Sequence, residues 1–259
     1  MLKGDDLERL SALINDANLQ PFLLSQTMSG SPKKINEAAY FLGLARSVAS
    51  KNILRKKLRS KNASVFLSSA LALVRLNDIN AVSEIFRNAC RFNFISKDSL
   101  LTIFSEYTDD LCIPLFENLK REQNALIISI TIPLFHHFKF YQAGETVLKI
   151  MVYTQNKEVI IESIKYFSII EFFDAVTALR SLINHPKAEV RVEVLKALAV
   201  LGDESLEQRI LDHMYDSEYE VQYNAVTTLI KLIPGSEIEF QCLHMVILVT
   251  ELRQLHEWF

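Results

Sequence analysis

The sequence predicts an all-α protein: a right-handed α-solenoid of about seven helical hairpins stacked with a 31-residue period. Three observations carry that expectation. Glu-Val pairs recur at Glu158-Val159, Glu189-Val190 and Glu220-Val221, so successive valines lie 31 residues apart. Counting 4, 8 and 11 residues on from each valine meets Ser163, Phe167 and Ile170, then Val194, Leu198 and Leu201, then Ala225, Leu229 and Leu232. That spacing draws one stripe along a helix. Finally, 259 residues contain only six Gly and six Pro, which favours long helices with short uniform turns over a sheet with many.

The elements follow in order from the ruler. A first helix at Leu19/Leu23 precedes a weakly patterned second helix with Lys34, Ala38, Leu42 and Ala45 on its stripe. First helices continue at Ser50/Leu54, Ala81/Ile85, Cys112/Phe116, Gly144/Leu148, Ala175/Leu179, Leu206/Ile210 and Ile238/Cys242. Between them run the second-helix stripes Val65-Ser69-Leu73-Leu76, Ser96-Leu100-Phe104-Tyr107 and Ile127-Thr131-Phe135-Phe138, then the three already given. Small residues at the fourth position, Ser69, Thr131, Ser163 and Ala225, allow neighbouring helices to approach closely. A two-helix unit of this length cannot bury both faces alone, so stacking is required. The whole chain, 1–259, is expected to be one solenoid domain, with degenerate basic repeats over 1–61, regular repeats over 62–234 and a half-repeat or cap over 235–259.

The turns fall where the ruler needs them. Gly202-Asp203 offers a glycine able to adopt positive φ and then a helix-capping carboxylate, and Asn77-Asp78 and Pro234-Gly235 hold equivalent places between repeats. Pro186 and Asp216 mark the starts of second helices inside the hairpins. A coiled coil would need sustained heptads with no turn every fifteen residues or so.

The segment Leu182-Ile-Asn-His-Pro-Lys-Ala-Glu-Val-Arg-Val-Glu-Val-Leu-Lys-Ala-Leu-Ala-Val-Leu-Gly-Asp203 resembles a HEAT repeat of the short kind found in PBS-lyase HEAT-like proteins. The resemblance is clearest from Lys157 to Pro234. The family's arginine after the valine occurs once, as Arg191, with Ile160 and Gln222 in the equivalent places, which argues against a full hydrogen-bond ladder. Ala70-Leu-Ala-Leu-Val-Arg-Leu-Asn-Asp78 bears a fainter resemblance to bacterial membrane-anchored HEAT proteins that accompany glycosyltransferases. HEAT proteins as a family are scaffolds and adaptors, and fold alone does not choose their partner.

No apolar run reaches the length of a membrane span, and the first residues lack the apolar core of a secretory signal. Cys90, Cys112 and Cys242 are odd in number and widely spaced in apolar surroundings, the pattern of reduced core thiols in a cytoplasmic protein. No two of the six histidines stand four apart, and His136-His137 suggest one histidine at the core edge and one in solvent. The one His-Glu pair, His256-Glu257, cannot by itself build the iron site of HEAT-like hydroxylases. Phosphate-loop, dinucleotide and nucleophile-elbow motifs are absent. The chain is therefore expected not to be an enzyme and to need no cofactor or metal, the alternative being a HEAT-like lyase or nucleic-acid-processing enzyme.

Charge is polarised along the chain. From Lys33 to Lys61 nine basic residues face Glu37 alone, a net of +8, whereas Pro186 to Phe259 holds six basic and thirteen acidic residues, a net of −7. Lys51, Arg55, Lys56, Lys57, Arg59 and Lys61 form a basic end that would attract an acidic protein or an anionic membrane, or serve only as a solubilising cap. A net charge of −3 and a basic patch without interleaved aromatics argue against nucleic acid as a partner. The expected function is a protein-binding scaffold, holding a membrane-associated enzyme such as a glycosyltransferase, with a membrane anchor outside this chain as one arrangement. Its expected contact residues on the second helices are Glu162, Lys165, Tyr166, Arg191, Lys196, Asn224 and Lys231. At the C-terminus, Ile238 to Leu252 would continue the register, and Trp258-Phe259 would either cap the core or form an adhesive edge.

Overall fold

A computed structural model describes residues 9, 11–14, 18–92, 96–202 and 204–233, and the regular secondary structure among them is helical. The chain forms two compact units, Met1–Phe138 and Lys139–Phe259. The N-terminal unit contains four hairpins: α1 (Gln20–Ser29) with α2 (Pro32–Leu44), α3 (Lys51–Lys57) with α4 (Ala63–Arg75), α5 (Val82–Ala89) with α6 (Lys97–Phe104), and α7 (Cys112–Leu119) with α8 (Ala125–His137). The C-terminal unit contains three: α9 (Gly144–Tyr153) with α10 (Lys157–Ile170), α11 (Val176–Leu182) with α12 (Ala188–Leu201), and α13 (Glu207–Asp212) with α14 (Tyr219–Leu232). Seven hairpins at the predicted register are thus present among the described residues, as a HEAT-like helical-repeat fold of the α-solenoid class. The expected turn at Pro234-Gly235, the half-repeat beyond it, Cys242, His256-Glu257 and the Trp258-Phe259 cap lie outside the described residues.

The stripe positions are the core. Val65, Leu73, Phe104, Phe135, Val159, Phe167, Val190, Leu198, Val221 and Leu229 are all buried, as are the small Ser69, Thr131, Ser163 and Ala225. A second buried line runs five and seven residues after five of the leading positions: Ala70 and Ala72, Ile132 and Leu134, Ile164 and Tyr166, Leu195 and Ala197, Val226 and Thr228. Within each unit the second helices therefore pack over a wide arc, against their own first helices and against the second helices of adjoining repeats. Two second helices meet closely at Gly43, where an added Cβ would lie 2.9 Å from the Cα of Ala72.

Turn chemistry repeats too. First helices after α1 are entered through 3-10 turns, Val48–Ser50, Ile79–Ala81, Asp109–Leu111, Tyr141–Ala143, Phe173–Ala175 and Glu204–Leu206. Each turn ends on a buried residue. Asparagine caps several second helices: Asn62 accepts from the Val65 amide at 3.2 Å, Asn124 from Leu126 and Ile127, and Asn156 from Val159 at 3.1 Å. Asp78, expected as a cap, makes no cap bond with its side chain, which is turned to Arg55. Pro186 and Asp216 stand ahead of the true N-caps, Lys187 and Glu218.

The links between repeats pass through left-handed backbone at Arg46, Asn77, Lys139, Glu171 and Gly202. Only Gly202 is free of the Cβ penalty, which for the others is about 1 kcal/mol. Glu171, exposed at φ 53°, is the simplest case. Glu171→Gly should raise stability by about 0.5 kcal/mol, the relief of strain exceeding the added freedom of the unfolded chain, as a higher midpoint in urea would show.

Candidate binding groove

In the C-terminal unit the first turns of α10, α12 and α14 open onto one groove of about 840 Å³. The 31-residue register places equivalent residues of the three helices side by side. Ile161 and Val192, both two residues after a stripe valine, line it together with Pro186 and Ala188. Its charged lining consists of six carboxylates, Glu158, Glu162, Glu189, Glu193, Glu218 and Glu220, and four cations, Lys157, Lys165, Lys187 and Arg191. Lys157 reaches across from α10 to Glu189 on α12 at 2.8 Å, which raises the lysine's pKa and lowers the glutamate's, the direct hydrogen bond being the first cause in each case. Lys165 pairs with Glu162 at 3.5 Å.

Behind the groove sits a polar node. Arg191 donates through Nε and Nη2 to the two oxygens of Asp216 at 2.9 and 2.7 Å, and through Nη1 to the His185 carbonyl at 2.9 Å. Residues 185 and 216 are one period apart, so one guanidinium joins the turn of its own hairpin to that of the next. Gln222, one period after Arg191, repeats the carbonyl contact, donating to the Asp216 carbonyl at 2.6 Å as Arg191 does to that of His185. Two adjoining hairpins thus share this contact, with glutamine in place of arginine, while Ile160 has no side-chain donor to extend it to the hairpin before.

Of the expected contact residues, Glu162, Lys165 and Arg191 are brought together at the groove. Tyr166 is a correction: it is 1% exposed, in the core, and its hydroxyl donates to the Phe140 carbonyl at 2.6 Å. Asn224 is a second, 6% exposed, its amide donating to the Glu220 carbonyl at 2.6 Å. Both lie on the wide packing arc, not on the open face. Lys196, paired with Glu193 at 2.9 Å, and Lys231 are exposed but stand outside the groove lining. Sequence reasoning passed over Glu158, Glu189 and Glu220, although these are the glutamates of the three Glu-Val pairs that set the period.

The basic end of the N-terminal unit is mixed in role. Lys56, Arg59 and Lys61 are exposed and Lys51 is half-buried. Lys57 donates to the Met28 carbonyl at 3.2 Å, fastening the end of α3 to that of α1. Arg55 is not a docking cation: its Nε donates to buried Asp78 at 2.7 Å, and that bond keeps its pKa raised. Cys112 is buried and its thiol is pushed up to about 11 by burial, whereas Cys90, expected in the core, is exposed. His136 and His137 are both exposed, so neither is a core-edge histidine. No cluster of three metal-binding side chains occurs among the described residues, and none of their helices is long and apolar enough to cross a membrane.

The chain matches no protein-family model and no curated protein. Among solved structures it is similar to the complex of CpcE and CpcF of phycocyanin lyase from Nostoc sp. PCC7120, at 13% identity and TM-score 0.41 over 89% of this chain and 94% of that one. It is similar also to two engineered proteins, at 16% identity and TM-score 0.43 over 89% of this chain and 71% of that one, and at 19% and 0.30 over 83% and 96%. The first of these corrects the expectation that the chain is not an enzyme: a lyase complex stands among its structural neighbours.

Proposed function

We propose that the chain is a helical-repeat scaffold that holds a protein partner in the groove across α10, α12 and α14. The observation that supports this is the groove itself: three consecutive second helices present equivalent first turns to one open channel, lined by charged side chains together with Pro186, Ala188 and the largely buried Ile161 and Val192. Such a surface offers burial for a partner's side chains and charged groups to set its register. Free thiols at Cys90 and Cys112 support a reducing, cytoplasmic setting.

Photo-crosslinking tests the reading. A photoreactive residue in place of Glu158 or Glu220, both exposed in the groove lining, should yield one discrete protein adduct in cells, while the same residue at Ile169, exposed and outside the groove lining, should not. Equal adducts from all three positions would overturn it. Running the soluble and membrane fractions separately decides the finer expectation of a membrane enzyme, such as a glycosyltransferase, as the partner.

A further inference from the structure

We infer that the groove's occupant is a second copy of this chain, which inserts the basic edge of its N-terminal unit. The inference rests on the scaffold reading and names its partner. Lys33 and Lys34 lie in the first turn of α2, and Lys61 lies just ahead of α4; all three are exposed. Hydrogen bonds from Asn36 Nδ2 to Ser64 Oγ and from Ser68 Oγ to Asn36 Oδ1 hold these two first turns side by side. The Lys57 contact with the Met28 carbonyl brings the end of α3, with Lys56 and Arg59, to the same edge. This edge occupies the place in its hairpins that the groove occupies in the C-terminal unit, with the opposite charge.

The position of those lysines is informative because it works against the helix. A helix N-terminus carries partial positive charge and favours carboxylates. Glu158, Glu189 and Glu220 obey that preference in α10, α12 and α14, whereas the first turn of α2 has no acidic residue and carries Lys33 and Lys34. Helix stability therefore does not account for the basic edge. Lys56, Arg59 and Lys61 make no ion pair among the described residues, and neither do Glu158, Glu218 and Glu220 in the groove, where six carboxylates outnumber four cations. The two surfaces differ, so the contact is heterologous: each copy offers one edge and one groove. Association should then grow with concentration.

Sedimentation velocity on the full chain tests this. Wild type should associate at about 20 mM salt and weaken at least about tenfold by about 300 mM, where screening reaches only a few ångströms. The groove variant Glu158→Lys/Glu218→Lys/Glu220→Lys and the edge variant Lys56→Glu/Arg59→Glu/Lys61→Glu should each sediment as monomers, and mixing them should restore association, because each reversed surface meets a complement. Neutral variants, with Gln at the same positions, should show intermediate weakening if a reversal impairs folding. A wild type that stays monomeric at low salt, or a mixture that fails to associate while both variants fold, would overturn the inference. Monomeric wild type with a discrete groove adduct to another protein sinks the second copy and leaves the scaffold reading intact. If the monomer instead binds vesicles containing phosphatidylserine and the edge variant does not, the edge belongs to a membrane and the inference fails.

Discussion

Arg191→Ala should destabilise the protein by about 3 kcal/mol, more than a surface ion pair can account for. The pair with Asp216 is largely shielded from water, with side-chain exposures of 12% and 9%. Asp216 collects further donors, the Glu218 amide at 3.0 Å and His213 at 3.5 Å. Burial alone would raise its carboxyl, but the Arg191 hydrogen bonds, the Glu218 amide and the arginine's charge reverse that and hold it below the usual aspartate value. A depressed carboxylate contributes its stability above the unfolded value near 4 and loses it as pH falls through the lower folded value. Denaturant titrations should therefore show wild type losing stability from about pH 4 downward, and Asp216→Asn losing less across that window because it lacks that contribution from the start. Arg191→Lys, which keeps the charge but not the planar fork, should recover under half of the alanine loss. A loss below about 0.5 kcal/mol for Arg191→Ala would mean that the node does not join the two hairpins.

The architecture was legible because burial at period 31 restricts what a sequence can place there. Val159, Val190 and Val221 are equivalent, and an apolar stripe cannot drift without exposing itself. The left-handed links were legible only at Gly202 and Asn77, since Arg46, Lys139 and Glu171 carry no propensity for that conformation. Tyr166 and Asn224 were misplaced because one stripe underestimates how much of a solenoid helix is covered when neighbours pack on both sides. Asp78 was misread for a different reason. Its partner Arg55 lies 23 residues earlier, and local sequence signals a cap, not a long-range ion pair. The groove lay between these cases: its glutamates had been found, but as markers of the period, and only the packing of α10, α12 and α14 showed that they share a face.

Arg55→Ala should cost about 3 to 5 kcal/mol, and more than Asp78→Ala, although the two residues form one pair. The asymmetry follows from exposure: the Asp78 side chain is 3% accessible and the Arg55 side chain 30%. Removing the arginine leaves a carboxylate buried without its cation, whereas removing the aspartate leaves a guanidinium that water can reach. The double variant Arg55→Ala/Asp78→Ala should therefore be more stable than Arg55→Ala alone, a reversal that a simple additive contact would not give. The same turn is held from the next hairpin by Tyr107, whose hydroxyl donates to the Asp78 carbonyl at 3.0 Å. Burial first, and the Asp78 charge second, push that phenol above its ordinary value. Its contribution is therefore complete below about pH 10 and is lost as pH rises through the higher folded value, so Tyr107→Phe should cost about 1 kcal/mol at neutral pH and flatten the alkaline limb. Charge reversal at Arg55 consequently unfolds the edge instead of undocking a partner. The cations whose reversal reports on docking are Lys56, Arg59 and Lys61, which are exposed and hold nothing in place.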